Sequence, residues 1–245
     1  MSQKSGKDAE KREQRTELTP FGRAVHEQLA WLQQGYVGRP EDPMAVQLLA
    51  ELRRGAGKLP EDVPEMLGQS YGLDGLWLED DSRIRAAHVS LTLYSRHQQS
   101  LREHGLRMYR WHSPDSNRPS PVHTLGWAVR ALMTDDEENG AETARENRER
   151  RQVRIRDSVR QRFIQAGKAS NVKTTAERLR GLVDLLHNRQ IPLDYARLAE
   201  DLYDVQQQGR RPEVRRRWNF AFNAYRKPNT AETNETLKNA DKDAS

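Results

Sequence analysis

The 245-residue chain is predicted to be all-α: two small helical bundles joined by a charged linker, with disordered ends. Three observations lead there. Apolar residues recur at i, i+3, i+4 and i+7, the spacing that gathers them on one face of a 3.6-residue helix. No segment alternates apolar and polar residues convincingly, as a half-buried strand would, and no internal repeat of fixed period is present. Residues 1–20 and 228–245 are polar, mixed in charge and nearly free of large apolar side chains, so they bury too little surface to offset the entropy of ordering.

The elements follow in order. Leu29, Leu32 and their neighbours predict a first helix ending near "QQGYVGRP", and "DPMAVQLLAELRRGAGKLP" a second, with Pro43 near its start and Gly55 past its last turn. Ile84, Ala87, His88, Leu91 and Tyr94 or Ser95 form a third face, ending before Gly105. "HSPDSNRPSP" is a loop of turn formers, and "HTLGWAVRALM" a short helix after it, completing an N-terminal bundle over 21–134. Residues 135–150, from "TDDEENGAETARENRERR", run from acidic to basic without an apolar stripe in their first half and are assigned to the linker. In the C-terminal bundle, 151–227, the helix faces are Ile155, Val159 and Phe163; Leu179, Leu182, Val183 and Leu186; and Tyr195, Leu198, Ala199 and Leu202, the last preceded by Asp194 as N-cap. Val214, Trp218, Ala221, Phe222 and Tyr225 make the face of the final helix.

Composition narrows the function. The 41 Lys and Arg against 36 Asp and Glu leave a net charge of +5, but from Arg145 to Lys227 the count is 21 against 10. That local excess points to a polyanionic partner. With no cysteine, disulfides and thiolate zinc sites are excluded, and a reducing compartment fits. The first twenty residues lack the apolar core of a signal peptide and no run is long enough to span a bilayer, so a cytoplasmic protein without a membrane partner is expected.

Catalytic chemistry is not indicated. His88, His97, His104, His112 and His123 form no i, i+4 pair and no HExxH motif, and His97 reads as a helix-end hydrogen bonder or a surface residue. Asp135, Asp136, Glu137 and Glu138 could in principle hold magnesium, but in a linker nothing would fix them. There is no P-loop, GxGxxG or GxSxG, and no serine stands beside an evident base. The reading is a protein without enzymatic activity, metal or cofactor.

The basic residues remain. Arg53, Arg54 and Lys58 lie at a helix C-terminus, where the helix dipole also favours cations, so structural support and phosphate contact are both open. Arg83 and Arg85 open the third helix. Arg154, Arg156, Arg160 and Arg162 lie off the Ile155, Val159, Phe163 stripe with only Asp157 among them. In "EVRRRWNFAFNAY", Arg215 and Arg217 flank the apolar stripe while Arg216 projects opposite it, near Asn223 and Phe220. None of the three is needed by the core; they form either a solvated helix face or a surface that holds phosphate. The planar guanidinium suits bidentate phosphate contact, and no base-reading motif is present. The candidate nucleic-acid-binding residues are therefore Arg53, Arg54, Lys58, Arg83, Arg85, Arg154, Arg160, Arg162, Arg215 and Arg216, with Arg83, Arg85, Arg160 and Arg162 expected to line one continuous basic track.

The pieces "LAELRRGAGKLP", "RHQQS", "HTLGWAVRAL", "RQRFIQA", "LRGLVDLLHNRQIPLDYARLAEDLY" and "VRRRWNFAFNAY" stand in the order of the CasB family, the small subunit of the type I-E CRISPR Cascade complex. The resemblance spans about residues 25–226 and is most specific in "IPLDYARLAEDL" followed by "VRRRW". It implies an all-helical, two-domain, non-catalytic protein. It further implies partners: other Cascade subunits around the guide RNA ribonucleoprotein, the target and displaced non-target DNA strands of an R-loop, and a second copy of the chain running head to tail. The charged linker, the "PDSNRP" loop and both tails depart from the family, so nothing is carried over to them. A second reading is a helical adaptor whose basic faces meet acidic protein surfaces without touching nucleic acid.

Overall fold

The computed structural model describes residues 17–66, 71–73, 80–111, 122–134 and 145–225, with side chains in the last stretch from Arg156 onward. The class is all-α, as the sequence predicts. The helices are α1 (Pro20–Val37), α2 (Pro43–Leu52), α3 (Asp81–Gln98), α4 (Leu125–Thr134), α5 (Arg145–Lys168), α6 (Val172–Asn188), α7 (Tyr195–Gln206) and α8 (Arg211–Ala224). Among the described residues no helix is long and apolar enough to cross a membrane.

Helix starts follow the capping chemistry written in the chain. Thr19 accepts from the Gly22 amide at 3.1 Å, Asp42 from Met44 at 2.9 Å, Asp80 from Ser82 at 2.9 Å, Asn171 from Thr174 at 2.8 Å and Asp194 from Arg197 at 2.9 Å. Each side chain satisfies a backbone donor that the first helical turn leaves unpaired. The short 3-10 turn Arg53–Gly55 ends the second element.

Helix α3 is central. Ala86 through Ser95 are buried on every side, and α3 packs against α7, α6, α2 and α1. Ser90 donates to the Tyr195 carbonyl at 2.6 Å, and Arg96 grips Asp184 of α6 with both nitrogens of a bidentate pair. The buried apolar residues form one cluster from Leu18 to Trp218. Helix α4, which the sequence groups with the elements before it, packs on α8, α5 and α6. Gly126 is the cause: a Cβ there would lie 2.0 Å from the Trp218 carbonyl oxygen and 2.8 Å from the Phe222 amide nitrogen. Only glycine permits so close a crossing. Helix α5 begins at Arg145, inside the segment assigned to the linker.

Candidate nucleic-acid interface

The arginines divide by what holds them. Arg217 donates to Asp201 Oδ1 through Nε at 2.9 Å and Nη2 at 2.6 Å, and through Nη2 to Asp204 at 2.8 Å. Trp218 Nε1 donates to the other Asp201 oxygen at 2.6 Å. Burial pushes the Asp201 carboxyl up, but three donors hold it, and Arg217, disfavoured by burial yet faced by two carboxylates, is shifted towards stronger basicity. The group is an ion pair with a buried carboxylate, Asp201, and a half-buried guanidinium, Arg217. Arg197 and Glu200 sit beside it at 2.6 Å, with Glu200 also accepting from the Thr19 amide at 2.6 Å. The sequence expectation that no arginine of "VRRRW" serves the core is therefore corrected at Arg217: its stem follows the stripe inward and its charge meets "LAEDL". No sequence signal pairs the two motifs, because the contact is made between helices.

Arg215 and Arg216 point the other way. Arg215 is exposed, its stem 3.8 Å from a Cβ built on Gly167 at the end of α5, and Arg216, 72% exposed, lies 3.7 Å from Glu213. An exposed pair at that distance contributes little stability.

A second outward group is assembled from three segments. Arg160 and Arg162 are exposed on α5, and Arg162 reaches over α6, its Nη1 3.2 Å from a Cβ built on Gly181. The neighbouring Arg180 lays its stem over Gly57, where a Cβ would come within 2.8 Å of Cδ. Gly57 has φ +81, so glycine is required twice over. The Gly57 turn carries exposed Arg54 and Lys58. Lys173 Nζ, 2.8 Å from Asp62, ties the start of α6 to the same loop. Arg54, Lys58, Arg160, Arg162, Arg180 and Arg215 make no side-chain hydrogen bond or ion pair with any described residue. The nearby acids are exposed Asp157 and Glu177 along the helices, and Glu61 and Asp62 after the 53–58 turn, where Asp62 pairs with Lys173 and also feels Lys58. Arg180 is absent from the sequence-derived set; its place on the polar side of the Leu179, Leu182, Leu186 stripe was visible, but not that it meets the 53–58 turn.

The remaining candidates are held internally. Arg53 Nε donates to the Leu49 carbonyl at 3.1 Å, closing the end of α2. Arg83 lies 3.4 Å from Asp80 and over the Tyr203 ring at 5.4 Å. Arg85 pairs with Glu61 at 2.8 Å and lies 3.8 Å from Asp81. Arg83 faces α7 while Arg162 faces α6, so the expected four-arginine track has different neighbours at its two ends. Arg156 donates to the Met133 carbonyl at 3.0 Å, joining α5 to α4. The Arg154 side chain, the Asp135 to Glu138 cluster, the 113–121 loop, residues 1–16 of the N-terminal tail and the C-terminal tail lie outside the described residues; at the end of the segment assigned to the N-terminal tail, Leu18 is buried in the core and Thr19 caps α1.

Of its two readings, His97 is the helix-end hydrogen bonder and not the surface residue. It is fully buried, with Nδ1 2.9 Å from the Tyr195 hydroxyl, and burial lowers its pKa to about 3. It belongs to the core beneath α7. Among the described residues no group of three or more histidines and carboxylates could hold a metal ion.

An all-helical protein with a buried carboxylate–arginine seam and unpaired cations turned outward is the class these features define. Within that class the chain belongs to the family described as CRISPR-associated protein Cse2, whose model matches residues 48–222. It is similar to the crystal structure of CasB from Thermobifida fusca, with 34% identity, TM-score 0.61, and coverage of 85% of this chain and 100% of that one. The fold is also that of chains in a CRISPR RNA-guided surveillance complex (20% identity, TM-score 0.56, 92% and 99% coverage) and in its pre-nicking form (19%, 0.56, 91% and 99%). No curated protein gives a significant match.

Proposed function

We propose that this chain is the non-catalytic small subunit of a Cascade-type CRISPR surveillance complex, and that its outward arginines hold nucleic-acid backbone without sequence preference. Family membership and the solved complexes with this fold support the first part. One observation carries the second: Arg54, Arg160, Arg162 and Arg180 converge from three segments with no side-chain hydrogen bond or ion pair to a described carboxylate, and Lys58 joins them within the field of Asp62. Such side chains exchange counterions for phosphates and leave sequence to base pairing. The strands served would be the target and the displaced non-target DNA of an R-loop. The partners would be the other Cascade subunits with the guide RNA ribonucleoprotein and a second copy of this chain. Arg53, Arg83 and Arg85, already held internally, take a smaller share.

The test is Arg160→Glu, Arg162→Glu and Arg180→Glu together in the assembled complex. Copurification should persist, each lost contact should cost about 1 kcal/mol of target-DNA affinity, and each should lower the salt slope by about one unit. Unchanged affinity and slope would overturn the reading. Loss of copurification would instead favour the adaptor reading, in which these arginines meet acidic protein.

A further inference from the structure

Of the four aromatic residues in "RRRWNFAFNAY", three have ring partners. Phe222 stacks on Phe163 at 5.6 Å and 16°, with Arg130 over its ring at 5.5 Å. Trp218 lies 6.2 Å from Phe163, and Tyr225 5.0 Å from Trp127. Phe220 makes no ring contact with a described residue and is 57% exposed. It leaves the apolar stripe because it follows Trp218 by two positions, about 200° around the helix.

Its surroundings on α8 are polar and cationic. Arg216 stands one turn before it, Asn219 beside it and Asn223 one turn after, all exposed. Glu213, at the start of the helix, is the last carboxylate before Tyr225. An aromatic face next to a guanidinium whose one acidic neighbour, Glu213, is a weakly held exposed partner at 3.7 Å matches a nucleotide in two respects: a base can lie on the ring while its phosphate meets the cation. A protein partner with an apolar knob would use the ring but not the charge.

We propose that Phe220 is a base-stacking residue for single-stranded nucleic acid, with Arg216 as its phosphate partner. This rests on the proposed nucleic-acid role and adds a mode of contact that the arginines alone cannot supply. Stacking is sequence-tolerant, since every base has a π face, so it secures a strand without selecting one.

The experiment uses the assembled complex and two fluorescent probes of equal length, oligo-dT and an abasic phosphodiester. Phe220→Ala should weaken oligo-dT binding roughly 5- to 100-fold with an unchanged salt slope, and should leave abasic binding as it was. Phe220→Trp should restore oligo-dT binding, and Phe220→Leu should not. Arg216→Ala should weaken both probes and lower the slope by about one unit. Equal effects of Phe220→Ala on both probes, no effect on either, or rescue by leucine would overturn the inference. Loss of copurification with Phe220→Ala would assign the ring to a protein contact and overturn it as well. The two proposals separate cleanly: if the Arg160, Arg162, Arg180 variant weakens DNA binding but Phe220→Ala does not, only the stacking inference fails. If neither does, the nucleic-acid reading fails with it.

Discussion

The seam between α7 and α8 and the surface shared by α5, α6 and the 53–58 turn are both rich in arginine, yet they differ in where the carboxylates are. In the seam Arg197 and Arg217 meet Glu200, Asp201 and Asp204 within 2.6–2.8 Å. On the surface Arg160, Arg162 and Arg180 meet none of the described ones. A guanidinium whose donors are taken by buried acceptors is part of the fold; one without such acceptors is available to a ligand. Net charge is blind to the distinction. The run Arg215–Arg216–Arg217 contains both kinds within three residues.

The strongest way to break the comparison is at Asp201. Asp201→Ala leaves Arg217 and the Trp218 indole N–H facing a buried gap, and should destabilise the protein by about 3–5 kcal/mol. Urea unfolding of the variant measures this, and a double-mutant cycle with Arg217→Ala should return a coupling well above 0.5 kcal/mol. Additive effects would show that the seam is an incidental contact.

Acid should act on the interior and leave the arginine surface charged. His88 and His97 are held near pKa values of about 4 and about 3 by burial, so the stability they contribute is complete above the ordinary 6.5 and lost as pH falls. Asp194, raised by burial to about 7, does the reverse: its contribution is complete below 3.8 and lost as pH rises through 7. Between pH 6.5 and about 4 these losses are opposed by gains at Asp194 and at Glu200 and Asp201, which burial also raises, so the component to isolate is the histidines' own, about 1.4 kcal/mol per histidine per pH unit. Denaturant midpoints across that window, compared between the natural protein and His97→Gln, test it: the variant should lose stability less steeply as pH falls. Parallel profiles would mean that His97 is not excluded from water as the packing indicates.

Gly126 tests the frame on which the seam rests. Gly126→Ala places a methyl against the α8 backbone, where no flexible side chain can yield, and should cost about 1–3 kcal/mol. Gly126 lies within α4 and is not among the positive-φ glycines, so alanine would otherwise favour the helix and any loss comes from the crossing itself. An unchanged or raised stability would show that the two helices do not need the close approach that glycine allows.

The fold was largely legible because it is written locally. Asp194 as a cap and the stripe Leu179, Leu182, Val183 and Leu186 depend on neighbours within a few residues, and the structure has both. The site was legible only in part, because its residues are sorted by partners far away in sequence. Arg217 is claimed by Asp201, sixteen positions before it, and Arg85 by Glu61, twenty-four before. Arg180 joins the outward group through Gly57, on another element entirely. His97 carried no local mark of burial because its cover comes from Tyr195 and α6. The pieces that carry the family resemblance, "HTLGW", "LAEDL" and "RRRW", meet at Gly126, Asp201, Arg217 and Trp218. They report architecture, so the resemblance is a sound guide to the fold and says less about which arginines touch a ligand.

The finest test lies at the boundary between the two regions, where Arg216 faces Glu213 across 3.7 Å with both side chains largely open to water. If the comparison is right, this pair belongs with the surface and not with the seam. Glu213→Gln should then change stability by less than about 0.5 kcal/mol, as exposed pairs do. Freed of the competing carboxylate, Arg216 should bind phosphate slightly better, raising affinity of the complex for single-stranded DNA by a factor of about two at low salt. The gain should disappear at high salt, because screening removes the carboxylate's influence as well as the phosphate's. A stability loss comparable to that of Asp201→Ala would move Arg216 into the seam and leave Arg215 as the one outward cation of the run.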